Sequence, residues 1–137
     1  MKKVNWQKVF IATALSGVTF ALISIFLNYL FSSLYLTTPA IWRTVTGVWL
    51  LGMVVYYFLF ALFFVLVYAL LYTGIPNTGL LKGITYGFLV FLLLGLKSFA
   101  VNYISTTLPL DLILIWVIGL AINLLVMGVI CGLIYQK

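Results

Sequence analysis

Residues 46–72 read TGVWLLGMVVYYFLFALFFVLVYALLY, a run without a single charged side chain. The hydrocarbon core of a bilayer is about 30 Å thick and a helix rises ~1.5 Å per residue, so about 20 apolar residues cross it. This run is longer than that and has room to tilt, although length alone does not set the tilt. It ends at Thr73-Gly74-Ile75-Pro76-Asn77-Thr78-Gly79, a cluster of residues that stop or re-aim a helix. A second apolar run follows over about 80–103. The middle of the chain therefore reads as a hairpin of two membrane spans.

The same pattern continues outward in both directions. Toward the N-terminus, about 9–31 forms another span after Met1-Lys2-Lys3. A signal peptide has an apolar region of about 7–15 residues and a small-residue cleavage site, and neither fits this longer stretch, so it reads as a retained helix. The connection 34–45 contains the helix breaker Pro39 and carries Trp42-Arg43 at its far end. Toward the C-terminus, Ser105-Thr106-Thr107-Leu108-Pro109-Leu110-Asp111 breaks the chain again. Asp111 is placed to cap a last span over about 112–135. The expected fold is all-α: a single transmembrane domain covering 1–137, with four helices in an up-down bundle.

Composition supports lipid as the solvent. Of the 137 residues, 66% are hydrophobic and 6% charged, whereas a soluble domain carries roughly 25% charged residues. The formal net charge of +6 comes from Lys2, Lys3, Lys8, Arg43, Lys82, Lys97 and Lys137. These cations are scattered singly among apolar runs and form no basic face, so no nucleic-acid partner is expected. Lys2, Lys3, Lys8, Lys82 and Lys137 fall on one side of the expected topology. Arg43 lies on the other, approached by Lys97 from within the third span. The positive-inside rule then puts both termini in the cytoplasm. The expected location is the cytoplasmic membrane of a prokaryote. Tyr and Trp near the span ends (Trp6, Tyr72 and Tyr135; Tyr29, Tyr35, Trp42, Tyr103 and Trp116) agree with headgroup-level aromatic belts.

Small residues mark where membrane helices touch, because lipid tails give apolar side chains no reason to prefer protein. The first span has Thr13, Gly17, Ala21, Ser24 and Asn28 at steps of four and three, within an arc of ~80°. A shorter row, Ala12, Ser16 and Thr19, lies beside it. The third span begins with Gly79, Gly83 and Gly87 and carries Gly95 further on, while the fourth ends with Gly128 and Gly132. In antiparallel helices these two glycine sets lie at the same depth, which lets the backbones approach. Packing within one chain is the first expectation, and self-association through GxxxG the second. The second span is bulky from Phe58 to Leu66 except for Ala61, so it is expected to face lipid or a partner. Its Tyr56, Tyr57 and Tyr68 hydroxyls are expected to find acceptors.

Chemistry is sparse. Asp111 is the single acid, there is no histidine, and Cys131 is the only cysteine. This composition rules out a carboxylate pair, a histidine-based triad and histidine-ligated haem. No metal cluster, cofactor or enzymatic activity is expected. Lys97 is the most informative polar residue, because an ammonium at membrane depth must snorkel, pair or meet water. Snorkelling to the headgroups, pairing with Asp111 and lining a water-filled path are its three readings. Asn123 is expected to hydrogen-bond between helices, or to line a polar cavity with Thr19 or Ser24. The favoured function is a non-catalytic accessory or scaffold subunit of a larger membrane complex, surrounded by lipid. An oligomeric channel or carrier for a small solute or anion is the first alternative. A lipid-binding protein is the second.

Overall fold

In a computed structural model, which describes residues 4–36 and 46–135, the described residues fold into five helices. They are α1 (Trp6–Leu30), α2 (Ser32–Leu36), α3 (Gly47–Leu71), α4 (Gly79–Ser105) and α5 (Leu110–Ile134), with no strand among the described residues. All except the short α2 are long and apolar enough to cross a membrane. The protein is an integral membrane protein of four apolar helices. Lys2, Lys3, Pro39, Trp42, Arg43 and Lys137 lie outside the described residues, so the charge count for orientation rests partly on positions not seen here.

Local chemistry sets the helix ends. Asn5 caps α1, its side-chain oxygen accepting from the Lys8 amide at 3.2 Å, so the helix starts three residues before the apolar run. Thr46 caps α3 in the same way, accepting from the Trp49 amide at 3.2 Å. At α5 the expected cap is corrected. Pro109 takes the capping position and Asp111 sits inside the first turn without a capping hydrogen bond. Proline fixes its own φ and has no N–H to lose, so the helix starts directly after it. Asp111 still places its negative charge against the positive end of the helix.

The turn between α3 and α4 uses left-handed backbone at two positions, Asn77 (φ 71°) and Gly79 (φ 53°). Glycine adopts this conformation without a β-carbon clash, and asparagine tolerates it better than most residues. The Asn77 amide also donates to the Thr85 hydroxyl at 2.8 Å, which ties the turn to the first turns of α4.

The most extensive helix contact is α4 with α5, followed by α1 with α3 and α1 with α5; α3 and α5 touch only briefly. Along α4 and α5 the pairing runs in opposite directions, with Gly79 beside Gly132, Gly83 beside Gly128 and Gly87 beside Leu124. The buried core gathers toward the end that carries the 73–78 turn. It includes Val9 and Ala12 of α1, Ala61, Val65 and Tyr68 of α3, and Leu124, Met127 and Cys131 of α5, all 0% exposed. At that end α4 reaches α3 through side chains: the Tyr86 hydroxyl donates to the Phe64 carbonyl at 2.9 Å. Elsewhere α3 and α4 are largely open, as a bulky or glycine-poor lipid-facing helix should be.

Candidate functional site

Two seams account for the small residues. In the α4–α5 seam, a β-carbon on Gly83 would overlap the Gly128 carbonyl oxygen, and one on Gly87 would overlap that of Leu124. A β-carbon on Gly132 would lie 3.0 Å from the Gly79 oxygen. Backbone here packs directly on backbone. The glycines are thus occupied within one chain, and no open glycine-lined groove remains at Gly83 or Gly128 for a lipid. On α1, Thr13 and Gly17 are buried, Ala21 and Ser24 half-buried, and Asn28 exposed. Gly17 faces α3, where a β-carbon would come 2.7 Å from the Phe58 ring. The second row, Ala12 and Ser16, is buried too, while Thr19 turns its hydroxyl to the Leu15 carbonyl of its own helix at 2.8 Å. A β-carbon on Gly95 of α4 would meet first the Phe91 ring of its own helix.

The polar residues do not converge on one place. Lys97 is exposed on α4, on a face it shares with Leu93, Leu96, Val101 and Ile104, themselves 75%, 67%, 50% and 80% exposed. Asp111 is also exposed, and no ion pair joins the two; pairing, one of the three readings of Lys97, is not formed among the described residues. Asn102, also on α4, donates to the Ser98 carbonyl at 2.8 Å and stays within its helix. Asn123 is on another face altogether, 4% exposed between α5 and α1. Its amide nitrogen donates to the Gly119 carbonyl at 3.0 Å and lies 3.5 Å from the Ser24 hydroxyl.

Around Asn123 the helices leave a cavity of about 380 Å³ between α1, α3 and α5. Ser24, Asn28 and Asn123 supply its polar surface. Phe20, Tyr56, Tyr57 and Trp116 supply aromatic walls, and Leu27, Met53, Ile115 and Leu120 fill the remainder. Gly119 contributes only backbone, with Leu27 opposite it. The short α2 closes one side through Tyr35, whose hydroxyl accepts from the Trp116 indole N–H at 2.9 Å. Phe20 packs on Tyr57 with ring centres 4.9 Å apart and on Phe60 at 5.4 Å. Among the described residues, none that lines the cavity is charged.

Three features escaped the sequence reading. Lys82, counted there only for its side of the membrane, is 8% exposed. Its ammonium donates to the Tyr72 carbonyl at 2.7 Å and lies 4.3 Å from the centre of the Tyr72 ring. It thereby satisfies a carbonyl at the end of α3 that has no helical partner. The signal available was a lysine one turn into a helix, right after a tight turn. Tyr68 corrects the expectation that every deep hydroxyl finds an acceptor. It is 0% exposed, ringed by Tyr72, Tyr86 and Tyr135, and its hydroxyl has no partner. Thr13 and Ser16 likewise keep buried hydroxyls without partners. The third feature is Tyr35, which ties α2 to the cavity wall across 81 residues of sequence.

Among the described residues, no three histidine, cysteine or acidic side chains gather where a metal ion could sit. Comparison with protein-family models, curated proteins and solved structures finds no match to this chain.

Proposed function

We propose that this chain is a non-catalytic accessory or scaffold subunit that docks on another membrane protein through the second half of α4. The observation that carries the reading is Lys97. Among the described residues it is a cation without an ion pair, on a face otherwise made of Leu93, Leu96, Val101 and Ile104. It lies eight residues before the end of α4 at Ser105, or ~12 Å along the axis at 1.5 Å per residue. An ammonium at that depth costs several kcal/mol unless its stem carries it to the headgroups or a partner supplies a carboxylate or carbonyl. A subunit partner with such a group gives the lysine a reason to be there. The working location is the cytoplasmic membrane of a prokaryote with both termini in the cytoplasm.

The test is photo-crosslinking in intact membranes, followed by native mass spectrometry after mild extraction. A crosslinker at Leu93 is expected to capture one defined membrane protein, one at Leu51 on exposed α3 is not, and Lys97→Leu abolishes the Leu93 adduct. A chain that isolates alone, as a monomer that conducts or carries solute, refutes the reading. The channel alternative requires Lys97 and Asn123 on one path. Within a single chain they occupy different faces, one turned outward on α4 and the other buried against α1.

A further inference from the structure

We infer that the partner docked on α4 presents a membrane-spanning helix with an aspartate or glutamate set against Lys97, and that this helix continues a seam which α3 fills at one end only. The inference rests on the docking reading above and names what docks.

The seam is written in the spacing of α4. Tyr86, Val90, Leu93, Lys97, Ala100 and Ile104 follow one another at steps of four, three, four, three and four. That alternation marks the contact line of a left-handed helix pair, and at 3.6 residues per turn the six positions stay within an arc of ~80°. Near the 73–78 turn the line is filled. Tyr86 is 4% exposed and donates to the Phe64 carbonyl of α3, and Val90 packs against the buried core. Beyond Val90 it is open: Leu93 and Ile104 are 75% and 80% exposed, and Lys97 and Ala100 between them are exposed too. Lipid tails account for an open apolar stripe. They do not account for a lysine in the middle of it, nor for an alanine one turn on, where a small side chain lets a neighbouring backbone come close.

Charge names the group that the occupant carries. Asp111 is the single acidic side chain in all 137 residues. It is exposed, and no ion pair joins it to Lys97. No other segment of the chain holds a carboxylate side chain, so a counter-charge on this line comes from another molecule. A second copy would bring only Asp111, whose charge in the first turn of α5 already meets the positive end of that helix. Depth narrows the choice further. Lys97 lies six residues before Tyr103, or ~9 Å along the axis. Its Cα–Cβ bond leans toward the start of α4, away from the headgroup level that Tyr103 marks. A helix at that depth spends its carbonyls on its own hydrogen bonds, so the acceptor it offers is a side chain. Only a carboxylate also cancels the charge.

The experiment is carbodiimide crosslinking of native membranes that contain the unaltered chain, run beside the photo-crosslinking at Leu93. Dicyclohexylcarbodiimide enters the hydrocarbon and activates a carboxyl group. The Lys97 amine attacks the activated carbon, an amide bond forms, and dicyclohexylurea leaves. Tandem mass spectrometry of the digested adduct reads which residue is joined to Lys97. The expected product joins it to an aspartate or glutamate inside a membrane span of the protein that Leu93 captures. Lys97→Arg keeps the charge but forms no such amide, so it should retain the Leu93 adduct and lose the carbodiimide one. Lys97→Met should weaken Leu93 capture by about thirtyfold or more, because the partner's charge is left buried and unpaired. A captured partner with no acidic residue in its spans, or with none that joins Lys97, overturns this inference while the docking reading stands. An amide to Asp111 also overturns it, as does loss of a bound phospholipid, in place of a protein, from the native mass spectrum of Lys97→Met. Capture that Lys97→Met leaves at full yield, or no Leu93 adduct at all, overturns both readings together.

Discussion

Replacing Gly83 by alanine is the sharpest test of how this bundle is held together. The added β-carbon would overlap the Gly128 carbonyl oxygen and lie 2.7 Å from the Gly132 nitrogen and 2.8 Å from the Gly132 α-carbon. All three atoms are backbone, so none can rotate aside. Ordinary contact begins near 3.4 Å, so α4 and α5 must part by at least ~0.6 Å at Gly132, and further at Gly128. A gap of 0.5–1 Å forfeits a quarter to a half of each dispersion contact along the seam. Overpacking of this kind costs about 1–3 kcal/mol. Alanine's helix propensity gives back about 1 kcal/mol, leaving a net loss of about 0–2 kcal/mol.

Gly52 is the internal control. A β-carbon there meets nothing within 4 Å, so Gly52→Ala receives the propensity gain without the clash. Comparing the two substitutions cancels the propensity term, and the difference, about 1–3 kcal/mol, reports the seam alone. Unfolding by sodium dodecyl sulfate in mixed micelles, followed by far-ultraviolet circular dichroism, measures both. Gly87→Ala should behave like Gly83→Ala, because its β-carbon overlaps the Leu124 carbonyl oxygen. Equal stability of Gly83→Ala and Gly52→Ala within about 0.5 kcal/mol would refute the close backbone seam.

Three further substitutions have signs that the structure fixes. Lys82→Met removes a charge-assisted bond to the Tyr72 carbonyl and a cation–π contact, and should cost about 1.5–3 kcal/mol in the same unfolding assay. Tyr72→Leu keeps the carbonyl and should cost only about 0.5–1 kcal/mol at this contact. Tyr68→Phe should be neutral or stabilising by up to about 1 kcal/mol, since it deletes a buried hydroxyl with no partner. Tyr86→Phe, which loses a bond to Phe64, should destabilise by about 0.6 kcal/mol; the opposite ordering of the two would overturn this account of the tyrosine cluster. Finally, Lys97→Met and Asp111→Asn should add within about 0.5 kcal/mol, because the groups are not in contact. A coupling above about 1 kcal/mol in the double-mutant cycle would show that they do pair.

How much of this was legible in the sequence depends on distance along the chain. The spans are written locally, in long runs that lack charge, and their lengths follow from bilayer thickness. Helix ends shifted by one to three residues, most at the start of α1, where the polar cap Asn5 sits well outside the apolar run. Asp111 misled because a proline two positions earlier took the capping role. The glycines of α4 and α5 could be read because spacing by four is itself a local pattern. The role of Lys82 crosses a turn and depends on where a carbonyl ends up, which no spacing encodes. The cavity is harder still, since its walls come from three helices and Tyr35 reaches it from a fourth.

The two seams also explain why the cavity lies where it does. Glycines bring α4 and α5 together near the 73–78 turn, and there Tyr86 reaches across to the Phe64 carbonyl of α3. At that end Tyr68, Met127 and Cys131 fill the interior completely. Toward the other end α3 and α5 have no small-residue seam and barely touch. Between them stand the rings of Tyr56, Tyr57 and Trp116, too large to let the helices close and too rigid to fill the space they prop open. Gly119, which in α4 would have brought a second helix close, here faces the end of Leu27 and leaves room beside Asn123. The same residue type therefore does opposite things at the two ends of α5. Where backbone meets it, glycine closes a seam; where only a flexible side chain meets it, glycine leaves a cavity, and the Asn123 amide oxygen is sealed behind the wall of that cavity without a partner.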